Sequence, residues 1–90
     1  MKRVYMLIKG NVQGIGFRYF TSDLATSFNL SGWVKNRHDG SVELEAQGQE
    51  SELDQFAAQL KKGPALARVT DIEIKDKPVK KDSSEFNITH

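Results

Sequence analysis

The sequence predicts an α+β sandwich in the order β-α-β-β-α-β, an antiparallel sheet with two helices on one face and room for a short fifth strand. Two observations carry this. Stretches near 18–29 and 51–62 place apolar residues at helical spacing, while the segments around them are β-branched or alternate strictly. The two middle strand-like segments are joined by Arg37-His38-Asp39-Gly40, and Asp-Gly is a strong hairpin signal.

Residues 4–9, VYMLIK, form an apolar, β-branched run bounded by Gly10, the pattern of a buried strand. Residues 10–16 form a glycine-rich loop. Phe17, Phe20, Leu24 and Phe28 then recur at helical spacing and predict one core-facing stripe over about 18–29, with Asn29 suited to ending the helix. Residues 31–36, SGWVKN, read as the second strand. In the third, 41–47, Val42, Leu44 and Ala46 alternate with Glu43, Glu45 and Gln47, so one of its faces is wet. Ser51 has the chemistry of a helix N-cap, followed by Glu52 and Asp54, where negative charge suits the helix dipole. Leu53, Phe56, Ala57 and Leu60 supply the second stripe, and Gly63-Pro64 stops it. Residues 67–75 predict another strand, 76–85 a polar loop, and FNIT at 86–89 the short last strand. This order is ferredoxin-like. Its first β-α-β unit leaves two parallel strands with a third between them, so the glycine loop and the strand end at Asn36 meet on one edge of the sheet.

Length and composition bound what such a fold can do. A chain of 90 residues predicts one domain, with a core that hides about 60% of the unfolded surface. With 13 Lys and Arg against 12 Asp and Glu, no general attraction for nucleic acid or an anionic membrane is expected. The absence of cysteine excludes disulfides, thiolate nucleophiles and cysteine-based zinc sites. The opening MKRVYMLIKG is too short in its apolar run for a signal peptide, and no stretch approaches a membrane span. A soluble, cytoplasmic monomer without cofactor or metal is the expectation.

Chemistry concentrates in residues 10–18, GNVQGIGFR. Gly10, Gly14 and Gly16 permit positive φ and close backbone approach. The loop runs into a helix N-terminus, where unpaired N–H groups and the dipole favour an anion. Arg18 lies in the first helical turn, against the dipole's preference, which makes sense if an anion sits between them. A guanidinium can grip two phosphate oxygens at once. On the loop alone, a phosphate cradle and a tight turn with a solvated arginine stand equally open. Neither a P-loop nor a dinucleotide fingerprint is present. Asn36 offers an amide able to hold a water, although an asparagine before a hairpin is ordinary turn chemistry.

The run Gly10-Asn11-Val12-Gln13-Gly14-Ile15-Gly16-Phe17-Arg18 resembles the first signature of acylphosphatases. Gly32-Trp33-Val34-Lys35-Asn36, followed by Gly40, Val42 and Gly48, resembles their second, in order and at the expected separation. Ile15 stands where valine is more usual, and the resemblance covers essentially the whole chain. It implies metal-independent hydrolysis of acyl phosphates, small molecules with a carboxyl–phosphate anhydride, to a carboxylate and inorganic phosphate. Arg18 would bind the phosphoryl group, Asn36 would position the attacking water, and the amides of Asn11, Val12, Gln13, Gly14, Ile15, Gly16 and Phe17 would hold phosphate oxygens. Phosphate or sulfate would compete as free anions. Which acyl phosphate is hydrolysed is not legible.

Other residues have plainer readings. His38 is expected in an exposed turn, His90 as a fraying terminal residue, Asp39 as a turn residue, and Tyr5 and Trp33 as core or helix-covering aromatics. A binding module on the same fold is the rival class. RNA-recognition sheets carry aromatics on the third strand, whereas here that strand, SVELEAQ, is acidic and has none, which argues against nucleic acid. Larger enzymes carry an acylphosphatase-like domain working on carbamoyl phosphate, and this chain holds no second active site for that arrangement.

Overall fold

A computed structural model describes all 90 residues. The elements are β1 (Lys2–Asn11), α1 (Phe17–Ser27), β2 (Ser31–Asn36), β3 (Val42–Gly48), α2 (Glu50–Lys62), β4 (Arg68–Lys77) and β5 (Phe86–Ile88). They form one five-stranded sheet in the order β4-β1-β3-β2-β5. β1 is antiparallel to β3 and β4, and β2 is antiparallel to β3. β1 and β2 are therefore parallel, with β3 between them, as the sequence predicts. β5 pairs parallel to β2, so the sheet is mixed at that edge.

Register explains the core. Val4 faces Ala46, Met6 faces Leu44 and Ile8 faces Val42 across β1–β3, and Val34 faces Leu44 across β2–β3. All these side chains are buried in one cluster with Phe17 and Ala25 of α1 and Leu53, Phe56 and Leu60 of α2. Both helices thus cover the same face of the sheet. Burying each large apolar side chain stabilises the fold by about 1.5–3 kcal/mol.

The α1 stripe lies beside the predicted one. Phe17, Thr21 and Ala25 are the buried residues, while Phe20, Leu24 and Phe28 pack partly exposed along its flanks. Fully buried Thr21 is tolerated because its hydroxyl donates to the Phe17 carbonyl at 2.8 Å. Asn29 ends the helix in the left-handed region, at φ 58°. α2 begins at Glu50 with Gln49 as its cap and no side-chain cap bond, so Ser51 sits inside the helix. Glu50 and Glu52 supply the acidic first turn there, and the dipole replaces the hydroxyl.

Tyr5 and Trp33 point away from the helices. The Tyr5 hydroxyl donates to Glu43 at 2.8 Å, and Lys35 lies over the Trp33 ring. They belong to a charged outer face rather than to the core. No helix is long and apolar enough to cross a membrane.

Candidate active site

The site is assembled at the ends of β1 and β2. Strand β1 runs further than the sequence suggests: Asn11 still pairs with Arg68 of β4, after a register shift between Lys9 and Gly10. A Cβ at Gly10 would collide with the Arg68 carbonyl oxygen, so this glycine serves the close strand contact and not the loop. The loop proper spans residues 12–16. Buried Val12 anchors it in the core, Ile15 packs against the core, and Gly14 and Gly16 turn it at φ 76° and 80°. A Cβ at either glycine would meet nothing within 4 Å, so conformation, not space, demands glycine there.

Gly16 caps α1 with backbone only. There is no side-chain cap bond, and no acidic residue lies in the first turn. Among loop and turn backbone bonds, none is donated from Val12 through Tyr19; the first amide taken is Phe20, by the Gly16 carbonyl at 2.9 Å. The amides from Val12 through Tyr19 therefore have no backbone acceptor in the space beside the positive helix end.

The hairpin brings Asn36 to that space. Residues 37–41 make a five-residue connection, longer than a two-residue Asp-Gly turn, closed by Arg37 N–H donating to the Ser41 carbonyl at 2.9 Å. The Asp39 carboxylate accepts from the Ser41 amide at 3.0 Å and from its hydroxyl. Those bonds, with Arg37 beside it, hold its carboxyl below the usual range, and Asp39 in turn raises the Arg37 guanidinium. Gln13 ties loop to hairpin: its amide nitrogen donates to the carbonyls of Arg37 at 2.7 Å and Ser41 at 2.8 Å.

Between them lies a small cavity of about 80 Å³, lined by Val12, Gly14, Gly16, Phe17, Arg18, Tyr19 and Asn36. A liquid water occupies about 30 Å³, so this space suits a small tetrahedral group rather than an organic chain. Arg18 and Asn36, the two side chains singled out by sequence, share this cavity with the loop. Asn11, Gln13 and Ile15 do not line it. At Asn36 it meets an open groove of about 700 Å³ whose walls carry no hydrophobic residue.

Arg18 makes two contacts that sequence reasoning missed. Its Nη1 donates to the Thr89 carbonyl at 3.2 Å and lies 3.0 Å from His90 Nδ1. His90 is thus exposed but engaged, held beside the site by β5 and by Thr89 N–H donating to the Val34 carbonyl at 2.8 Å. No local signal announces a pair separated by 72 positions. Arg18 makes no ion pair.

A family model described as Acylphosphatase matches residues 4–88. An acylphosphatase of Geobacillus thermodenitrificans is 43% identical over 90 residues, covering 100% of this chain and 96% of that protein. The crystal structure of acylphosphatase from Bacillus subtilis superposes with TM-score 0.96 at 39% identity, covering both chains completely. An acylphosphatase structure from Coxiella burnetii gives 0.93 at 32% identity, over 98% of this chain and 92% of that one.

Proposed function

The chain belongs to the acylphosphatase family of hydrolases, and from that premise we propose that Arg18 binds the phosphoryl group of an acyl phosphate while Asn36 positions the attacking water. The observation that carries the proposal is Arg18 itself. It is a charge with no carboxylate partner, set at an uncapped helix N-terminus and sharing a phosphate-sized cavity with Asn36.

The chemistry suits such a sparse site. Water attacks phosphorus and the phosphorus–oxygen bond to the acyl group breaks. The electron pair leaves on a carboxylate, whose low proton affinity removes the need for a general acid. What remains is positioning and charge stabilisation. Arg18, the loop amides and the helix end supply positive potential without a metal ion. The water's proton passes late, to a phosphoryl oxygen, so the pH–rate profile should show no general base whose deprotonation switches turnover on near neutrality. The partners on this reading are a small-molecule acyl phosphate and, as product or competitor, inorganic phosphate or sulfate, bound by a monomer. Nucleic acid fits poorly, because Tyr5 is bonded to Glu43 and Trp33 lies under Lys35.

The test is hydrolysis of benzoyl phosphate in excess chelator by wild type and Arg18→Ala. Rapid hydrolysis by wild type and its loss in a folded Arg18→Ala variant is the expected result. Activity retained in Arg18→Ala removes the role assigned to that residue. A folded wild type without activity leaves an anion-binding sandwich.

A further inference from the structure

We infer that His90 is a positioning residue for Arg18: its neutral ring holds the guanidinium so that the Nε–Nη2 edge faces the phosphoryl group, and protonation of the ring lets go. The inference rests on the reading of Arg18 as the phosphoryl-binding residue.

Hydrogen accounting leads there. Nη1 carries two hydrogens, and two acceptors stand against it, the Thr89 carbonyl at 3.2 Å and His90 Nδ1 at 3.0 Å. A guanidinium has donors only, so Nδ1 must offer its lone pair, and the neutral ring carries its proton on Nε2. Nε and Nη2 make no hydrogen bond to the protein. That edge presents two parallel donors, the geometry that matches two oxygens of one phosphate. The anchor itself is firm, since Thr89 is bonded through its amide to the Val34 carbonyl of β2.

The lysine, the second arginine and the two carboxylates near the ring are engaged with one another. Lys35, Arg37, His38, Asp39 and Glu43 border the same groove, and Tyr19 stands beside Arg18 on the helix side. Glu43 is paired with Lys35 and Arg37, and Asp39 with Arg37. Arg18 is the charged group in contact with His90. A protonated ring turns Nδ1 into a donor and sets a second positive charge at hydrogen-bond distance, so the contact is lost. His90 is exposed, and protons reach it freely.

Sulfate is a suitable probe, because it remains a tetrahedral dianion while histidines titrate between about pH 5 and 8. Calorimetric sulfate affinity is measured across that range for wild type, His90→Asn, His90→Ala, His38→Ala and Arg18→Ala. Asparagine places its carboxamide oxygen where Nδ1 stands and does not titrate. Wild-type affinity should fall roughly three- to tenfold towards acid, the cost of ordering one long side chain again. His90→Asn should keep the high-pH affinity at every pH. His90→Ala should stay at the weak acid level throughout, and His38→Ala should follow wild type. The inference is overturned if His90→Asn reproduces the wild-type fall, if it fails to restore the high-pH affinity, or if wild-type binding strengthens in acid, which would mean that the ring's charge acts on the anion directly. Arg18→Ala separates the two levels. Binding kept in that variant refutes the role of Arg18, whereas binding lost there with His90 variants that track wild type refutes only the role of His90.

Discussion

Two arginines, Arg3 and Arg18, show how one side chain becomes framework or site according to its partners. Arg3 on β1 is 2% exposed. Its Nε donates to Glu45 at 2.7 Å, and its Nη1 donates to Gln47 at 3.3 Å and to the Ser83 hydroxyl at 3.2 Å. Gln47 in turn exchanges two bonds with the backbone of Lys80, at 2.8 and 2.9 Å. The whole latches the 78–85 segment over the helix-free face of the sheet. A carboxylate neutralises Arg3 inside the fold. Arg18 is held as well, but by neutral acceptors, a carbonyl and an imidazole. Its orientation is fixed while its charge is left for something outside the protein.

Truncating each arginine tests the contrast where the effects are largest. Arg18→Ala should lower kcat/KM for benzoyl phosphate on the order of 10³-fold or more, as loss of a transition-state arginine does, with the urea midpoint nearly unchanged. Arg18→Lys should recover only part, because a point charge lacks the bidentate edge. Arg3→Ala should do the reverse. It leaves the part-buried Glu45 carboxylate without its partner and should cost about 1–3 kcal/mol of stability, while the folded fraction keeps its turnover. An Arg3 variant that folds normally but turns over poorly breaks the comparison.

Asn36→Ala comes next. A lost positioning group costs roughly 10²-fold in kcat, and steady-state kinetics should show that fall with KM little changed. A change in KM alone would make Asn36 a binding residue like Arg18 and not its complement.

Gln13→Ala is a smaller perturbation. It removes the bridge from the loop to the carbonyls of Arg37 and Ser41. Each carbonyl keeps a backbone donor, Ser41 the Arg37 amide at 2.9 Å and Arg37 the Gly40 amide at 3.3 Å, so no acceptor is orphaned and the stability cost should stay within about 1 kcal/mol. A looser loop should raise KM more than it lowers kcat. If kcat falls instead, the bridge sets the position of Asn36 and not only the cradle for Arg18.

What was legible in the sequence follows the range of the forces involved. Alternation in β3, helical spacing in α2 and the glycines ahead of Arg18 are local signals, and the order β-α-β-β-α-β is the one found. The strand order also brings Arg18 and Asn36 to one cavity, because β1 and β2 run parallel on either side of β3 and their C-terminal ends share an edge. The α1 stripe was misplaced because Thr21 counts as polar by pattern, while its hydroxyl is satisfied within the helix. Ser51 suggested a cap that the helix start at Glu50 does not use. Gly10 belonged by pattern to the loop, yet its cause is the Arg68 carbonyl, 58 positions away in sequence. The partners of Arg18 were invisible for the same reason: β5 joins β2 by tertiary pairing alone, and nothing near His90 in sequence points to an arginine.

Asp39 offers the mildest and most pH-specific test of the same distinction between neutralised and available charge. It holds the hairpin through Ser41 and draws Arg37 to within 3.4 Å. Arg37 is therefore a cation beside the groove that, unlike Arg18, already has its anions. The Asp39 carboxyl titrates below its ordinary value, chiefly because Ser41 donates to the ionised form. A lowered folded value means that its stabilisation is fully present above the usual carboxylate range and is lost as pH falls through the lowered one. Urea midpoints of wild type and Asp39→Ala should differ modestly at neutral pH and converge under acid. Turnover at neutral pH should change little, because freeing Arg37 adds charge to the rim and not to the cavity. A gap that persists in acid would assign the effect to turn geometry instead. A large gain or loss in phosphate affinity would show that Arg37 shares the work assigned here to Arg18.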